Sequence, residues 1–327
     1  MTSLLSPRAD AGPAIELEGV RKSFDGVDAV RGIDLSVPLG TTYGLLGPNG
    51  AGKTTTIRMI LRILEPDAGG IRLFGGPVSQ RALDRIGYLP EERGLYRKMR
   101  LRRVLAFFAE LKGMPAWQSR PRIGEWLERL GLADRADARV QELSKGNQQK
   151  LQFISAVLHE PELVILDEPF AGLDPINQQV LKEIILDLKR RGRTILFSTH
   201  MIEHAERICE HVCIIAQGSK VVDGAIGQVK RAHGGEYVAL ALEQWAPAAI
   251  AAVRSSPLVA HVREQGNEAE VGLRAGADPQ ELLRALVTAG VRLRRFERVE
   301  PSLEQIFLER VGAHTVAEAE AREVSRV

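Results

Sequence analysis

Apolar residues fall in short runs along the first two thirds of this chain. Between Ala14 and Val37 the runs are brief and strand-like. TYGLL (Thr42–Leu46) is a compact apolar stretch that stops at Gly47 and predicts a buried strand. TTTIRMILRIL follows with helical spacing and sets Ile57, Ile60, Leu61 and Leu64 on one face; Pro66 and the Gly69-Gly70 pair predict its end. Residues 100–160 read as mostly helical. The runs LVIL (163–166), TILF (194–197) and VCIIA (212–216) are short, apolar and β-branched, with helical stretches between them. That alternation predicts buried parallel strands in an α/β layer fold.

The pattern changes between Gly224 and Gly235. Beyond it the spacing predicts strand 236–242, helix 246–254, strand 258–264, strand 268–274, helix 279–289, strand 291–298 and helix 302–310. The order βαββαβ is that of the split, ferredoxin-like α+β unit. Asp278, Pro279 and Glu281 supply a cap, a first-turn proline and a third-position acid, and Ser302 with Gln305 forms a capping box. The expected organisation is a tail at 1–13, a main domain at 14–228, an accessory domain at 229–312 and a second tail at 313–327.

Composition narrows the class. The chain has 327 residues, of which 44% are hydrophobic, enough for two domains with real cores. Its 44 basic and 42 acidic side chains nearly cancel, so there is no global case for binding nucleic acid, and no nucleic-acid partner is expected. The two cysteines, Cys209 and Cys213, are simplest to read as thiols in a reducing compartment. With His211 and the nearby His204 they could suggest a metal centre, but a helix end running into a strand does not aim these side chains at one point. No apolar run approaches membrane-spanning length, and the first residues lack the pattern of a signal peptide. A cytoplasmic protein is expected, with any membrane role reached through a partner.

The strongest chemistry is GPNGAGKT, Gly47 to Thr54, which fits GxxxxGK(S/T) between a predicted strand and a predicted helix. Gly47, Gly50 and Gly52 let the backbone curl so that the N–H groups of Pro48-Asn49-Gly50-Ala51-Gly52 and their neighbours, proline excepted, point inward at phosphate oxygens. The helix N-terminus adds partial positive charge. Lys53 reaches the outer phosphates, and the Thr54 hydroxyl, followed by Thr55, suits Mg2+. Alone, the loop says only that the ligand is a nucleoside triphosphate.

LVILDEP places Asp167 and Glu168 at the carboxyl end of a predicted buried strand, where open α/β sheets bind ligands. Asp167 suits Mg2+, through water, and Glu168 suits a general base for the attacking water. Acidic pairs after apolar runs are common, so this motif draws its weight from the loop upstream.

Between those motifs lies LSKGNQQK (Leu143–Lys150); after them come AGLD (Ala171–Asp174) and STH (Ser198–His200). In that order and spacing, residues 15–225 resemble the ATP-binding subunit of an ABC transporter, with LSKGN in the place of the family signature. The resemblance implies a P-loop ATPase fold with an antiparallel β subdomain and a helical subdomain near 92–158. It implies that Phe24, 29 residues before Lys53, stacks on adenine. It implies that Ser144, Lys145, Gly146 and Asn147 meet the nucleotide held by the opposite subunit, that Asp174 crosses the dimer interface and that His200 contacts the terminal phosphate. The partners implied are a second copy, head to tail around two ATP molecules, and an integral membrane permease. The implied location is the inner face of the cell membrane.

The chain departs from the family pattern at Glu91, in IGYLPEERGLY, where most members carry glutamine. Either Mg2+ offsets the added charge, giving Glu91 a metal-contacting and catalytic role, or the carboxyl is held partly protonated. Lys145 and Asn147 replace the usual signature residues and leave Ser144 and Gly146 in place. RKMRLRR (Arg97–Arg103) reads either as a solvated basic face or as a contact for anionic headgroups or an acidic partner loop. Leu95 and Tyr96 are candidates for the groove that grips the permease, or for core. Residues from about 230, closing on PSLEQIFLERVG (Pro301–Gly312), resemble the extra domain of exporter ATPases, and with YLPEERGLY the nearest resemblance is to sodium-export ATPases. The expected activity is Mg-dependent ATP hydrolysis that drives efflux of sodium ion or a drug-like compound. The alternative is a non-transport ABC ATPase acting on a ribosome or other macromolecule.

Overall fold

The computed structural model describes residues 12–92, 94–233, 236–243, 247–274 and 276–312. Contacts divide the chain after Gly224 into two units. The first contains β1 (Ile15–Phe24), β2 (Val27–Val37), β3 (Thr42–Leu46), β4 (Ala68–Leu73), β5 (Gly76–Pro77), β6 (Ile86–Leu89), β7 (Leu163–Asp167), β8 (Thr194–Thr199), β9 (His211–Ala216) and β10 (Ser219–Ala225), the last reaching the boundary. Its helices are α1 (Lys53–Ile60), α2 (Gln80–Asp84), α3 (Leu101–Leu111), α4 (Ala116–Arg129), α5 (Lys145–Val157), α6 (Pro175–Arg190) and α7 (Ile202–Ile208).

Two sheets organise this unit. One runs β2-β1-β4-β5 with antiparallel pairing; the other runs β10-β9-β3-β8-β7-β6, and its pairs from β9 to β6 are parallel. Every residue of β3, β7 and β8 is buried, which is why these segments read as continuous apolar runs rather than alternating ones. A fully buried Leu or Ile such as Leu45, Ile165 or Leu196 contributes about 1.5–3 kcal/mol. Parallel pairing brings the carboxyl ends of β3, β7 and β8 to one edge, so Gly47, Glu168 and His200 all begin their loops there. Helices α3, α4 and α5 pack on one another as a helical layer.

The helix after Gly52 is shorter than its apolar spacing predicts. It ends at Ile60, because Arg62 takes a left-handed φ of 56° and its N–H turns back to the Met59 carbonyl. Leu61 and Leu64 still pack against the core, so the hydrophobic face outlasts the helix.

The second unit holds α8 (Ile226–His233), β11 (Tyr237–Leu242), α9 (Pro247–Ser255), β12 (Val259–Gln265), β13 (Glu268–Leu273), α10 (Pro279–Thr288), β14 (Leu293–Val299) and a last helix over 303–312. The strand order β12-β13-β11-β14, all antiparallel, is the ferredoxin-like arrangement expected from βαββαβ. Its core includes Val238, Leu240, Val253, Val271 and Leu282. Asp278 accepts from the Gln280 N–H at 2.9 Å. Ser302 and Gln305 cap each other, with contacts of 2.9 and 3.2 Å. Helix α8 departs from the expected pattern; among its described side chains Val229 alone is deeply buried, too little apolar signal to predict the element.

Strand β6 approaches α5 so closely that a Cβ on Gly87 would stand 2.0 Å from the Ala156 carbonyl oxygen. Gly124, within α4, has nothing within 4 Å of such a Cβ. Gly87→Ala is therefore expected to destabilise the first unit by about 3 kcal/mol, whereas Gly124→Ala is expected to stabilise it by about 0.5–1 kcal/mol. Urea unfolding midpoints of the two variants check the pair of signs.

Candidate functional site

The loop between β3 and α1 is shaped by two backbone approaches. A Cβ on Gly47 would meet the Ile215 carbonyl oxygen at 2.3 Å, and one on Gly52 would meet the Ala29 carbonyl oxygen at 2.5 Å. Gly52 also takes a left-handed φ of 105° as it caps α1, and Gly50 one of 78°. The result is a cavity of about 400 Å3 lined by Asn49, Gly50, Ala51, Gly52, Lys53, Thr54 and Thr55, with Ala29, Glu91 and Glu168 completing it. Lys53 is buried, and its ammonium donates to the carbonyl oxygens of Gly47 (2.7 Å) and Pro48 (3.1 Å). Burial pulls its pKa below the usual lysine value, against the upward pull of Glu168, Asp167 and Glu91.

Strand β7 delivers both carboxylates. Asp167 is fully buried; its Oδ1 accepts from the Ser198 hydroxyl and its Oδ2 has no partner among the described residues. Burial raises its pKa, opposed by the Ser198 and Thr54 hydroxyls. An unpartnered carboxylate oxygen beside the Thr54 hydroxyl, with the Glu91 carboxylate on the same cavity, is an oxygen-rich donor set that fits a hard divalent cation such as Mg2+.

Glu168 adopts a left-handed φ of 48°, unusual outside glycine, and is only 7% exposed. Its Oε1 accepts from the backbone N–H of His200 at 3.1 Å and meets His200 Nδ1 at 2.9 Å, while Thr199 Oγ1 lies 3.4 Å from Oε2. Lys53 Nζ stands 3.8 Å from the same Oε1. This arrangement can orient and deprotonate a water at a phosphate held in the loop. Ser198 and Thr199 were not singled out as individual site residues in the sequence. Their roles come from the Asp167↔Ser198 register of β7 and β8, and the polar STH ending of an apolar strand was the available signal.

Other sequence candidates lie outside this cavity. Phe24 is 43% exposed at the end of β1 and does not line it; the Lys22 ammonium sits 5.6 Å from its ring centre. Ser144 caps α5, accepting from the Asn147 N–H at 3.3 Å, and Lys145 is exposed beside it. Gly146 leaves room for ordinary contact with Leu173 and Gly172, so the signature and the AGLD turn are neighbours. Asp174 caps α6 through the Asn177 N–H at 3.0 Å, the bond that chiefly lowers its pKa. Arg102 and Arg103 lie on the exposed side of α3, opposite Leu101, Val104 and Leu105. Among the described residues, no cluster of metal-ligating side chains forms around Cys209, His211 and Cys213. No described helix is long and apolar enough to cross a membrane.

A second, apolar groove of about 470 Å3 lies between β6, α3, α5 and the segment that follows α1, lined by Ile63, Tyr88, Leu95, Phe108, Leu111 and His159 among others. Leu95 belongs to this groove. Tyr96 does not; it is half exposed and packs edge-on against Phe107.

Comparison with known proteins agrees with the geometry. A family model described as ABC transporter matches residues 30–171, and one described as the C-terminal domain of DrrA1-3-like ATP-binding proteins matches residues 224–311. The uncharacterized ABC transporter ATP-binding protein YhaQ of Bacillus subtilis (strain 168) is 45% identical over 299 residues, 91% of this chain and 99% of that protein. The Nod factor export ATP-binding protein I of Rhizobium sp. (strain N33) is 36% identical over 302 residues, 91% and 97% of the two chains. Among solved structures, an ATP-binding subunit of an ABC transporter superposes with a TM-score of 0.63 at 31% identity, covering 67% of this chain and 92% of that one. The cbiO1 protein of Clostridium perfringens, part of the transporter complex cbiONQ, gives 0.58 at 25% identity over 68% and 94%.

The groove generates a pH prediction. His159 Nε2 lies 3.2 Å from the Ile86 carbonyl, and burial first, then the Lys112 charge, lowers the imidazole pKa to about 4, with the Ile86 bond and Asp84 opposing. The unfolded chain binds this proton below the ordinary histidine value of 6.5, and the folded chain does not until about 4. Stability from this group is therefore full above pH 6.5 and falls as pH drops through that window, by about 2 kcal/mol after allowance for partial exposure. His159→Phe should flatten this part of the stability–pH curve in urea titrations between pH 7 and 4.

Proposed function

The chain belongs to the ABC transporter ATP-binding proteins, and from that premise we propose that it is the ATP-hydrolysing subunit of an exporter. The observation that carries this reading is the pairing of the Lys53 ammonium with the Glu168 carboxylate in the lining of a glycine-walled phosphate cavity, with His200 bonded to that carboxylate.

In this reading the loop N–H groups and the start of α1 hold the triphosphate. Lys53 exchanges its Gly47 and Pro48 carbonyl contacts for phosphate oxygens. Asp167, Thr54 and Glu91 would hold Mg2+, and the metal would neutralise developing phosphate charge. Glu168 takes the proton of the attacking water, and His200, fixed to the Glu168 carboxylate, orders that water against the terminal phosphate. Phe24 stacks on the adenine.

Ser144, Lys145, Gly146, Asn147 and Asp174 act on the nucleotide of a second copy, so the working unit is a head-to-tail homodimer around two ATP molecules. In this reading Leu95 and its groove grip a cytoplasmic segment of a separate membrane permease, and the subunit works on the inner face of the membrane. Export is supported by the relatives described as Nod factor export ATP-binding proteins. The proposed cargo is sodium ion or a drug-like compound.

Glu168→Gln is expected to keep ATP binding and lose hydrolysis by about 100-fold or more. Captured with Mg·ATP from native membranes, it should bring a polytopic membrane protein at near-equal stoichiometry; ribosomes or no membrane protein would contradict the exporter reading. Glu91→Gln should retain substantial ATPase, since a neutral amide oxygen still reaches the metal. Complete loss would show that the negative charge itself is required.

A further inference from the structure

Gln152 lies in the interior of α5 and is 3% exposed. Its Nε2 stands 3.0 Å from the Glu92 carbonyl oxygen and 3.4 Å from the Pro90 carbonyl oxygen. Those two carbonyls straddle Glu91. An amide nitrogen carries two hydrogens, and the amide oxygen would repel both carbonyls, so the end facing them is the nitrogen. The oxygen end is buried with no partner among the described residues. All the hydrogen-bond donors of this side chain are thus committed to the backbone around one residue.

That residue needs holding. Residues 90–92 belong to no helix or strand, and Pro90 has no N–H to give. Glu91 is exposed on the rim of the phosphate cavity, where a free loop would leave its carboxylate without a fixed position. Gln152 comes from the helix whose N-terminus is capped by Ser144, eight residues earlier, and it also lines the apolar groove. One buried side chain therefore touches the Glu91 segment, belongs to the signature helix and forms part of the groove wall.

We propose that Gln152 is a positioning residue that clasps the backbone on both sides of Glu91, fixing that carboxylate over the phosphate cavity and making it move with α5. This rests on the reading above in which Glu91 contacts the metal. The clasp acts through Glu91 alone, so removing it should matter only while the Glu91 carboxylate is present.

The test is a double-mutant cycle on the full chain with Mn2+ as probe. Free Mn2+ is titrated by electron paramagnetic resonance in the presence of a non-hydrolysable ATP analogue, and thermal unfolding is followed for each variant. Gln152→Met keeps the length of the side chain and removes both donors. It should weaken Mn2+ affinity about tenfold in the parent chain, and by less than about twofold in the Glu91→Ala background. Equal weakening in both backgrounds would mean a general structural defect and would overturn the clasp, as would unchanged affinity in the parent chain. Unchanged affinity in Glu91→Ala alone would instead remove the metal contact of Glu91, and the clasp with it. If Gln152→Met does not fold, Gln152→Asn, one methylene too short to span both carbonyls, takes its place in the same cycle.

Discussion

A buried ammonium–carboxylate pair sets the terms for the whole site. Lys53 and Glu168 stand 3.8 Å apart, each with less than a tenth of its side chain exposed. Neither charge is comfortable there: burial drives the lysine toward its neutral form while the surrounding carboxylates hold its proton. The fold supplies partial compensation from carbonyls of the phosphate loop and from the His200 and Thr199 donors around Glu168. A polyanion entering the cavity completes what the protein leaves incomplete on the lysine side. The glycines make this possible, because side chains at Gly47 or Gly52 would collide with the Ile215 or Ala29 carbonyl and close the cavity.

The same geometry explains why one copy is half a machine in the proposed function. Ser144 and Asp174 are helix caps on α5 and α6, away from the lining of the phosphate cavity, yet Gly146 sits against the Gly172–Leu173 turn. A surface that gathers these motifs without its own nucleotide is suited to complete the nucleotide site of another copy. In that proposal binding would close the pair and hydrolysis would release it, a two-state element biased by the terminal phosphate. Gln152 would join that motion to the Glu91 segment and to the groove in which Leu95 lies.

Much of this was legible in the sequence, for a physical reason. The phosphate loop and the Asp167-Glu168 pair are contiguous, and each follows a strand buried on both faces, so local pattern places them. The ferredoxin-like order could be read because its strands and helices succeed one another in short segments and its caps at Asp278 and Ser302 are local. The hydroxyl of Ser198 on Asp167 was not legible, since it depends on the register of two strands about thirty residues apart. Gln152 was invisible for the same reason: nothing in its own neighbourhood says that it ends on the Pro90 and Glu92 carbonyls. The early end of α1 at Ile60 escaped because the apolar spacing continues past the point where Arg62 turns the backbone.

In the proposed function a single subunit carries half of each catalytic site. Sedimentation of the purified Glu168→Gln chain, with and without Mg·ATP, tests it most directly. The chain should be a monomer that doubles in mass when Mg·ATP is added, and should return to monomer when Ser144→Arg blocks the signature surface. A monomer that binds Mg·ATP with full occupancy and never pairs would contradict it.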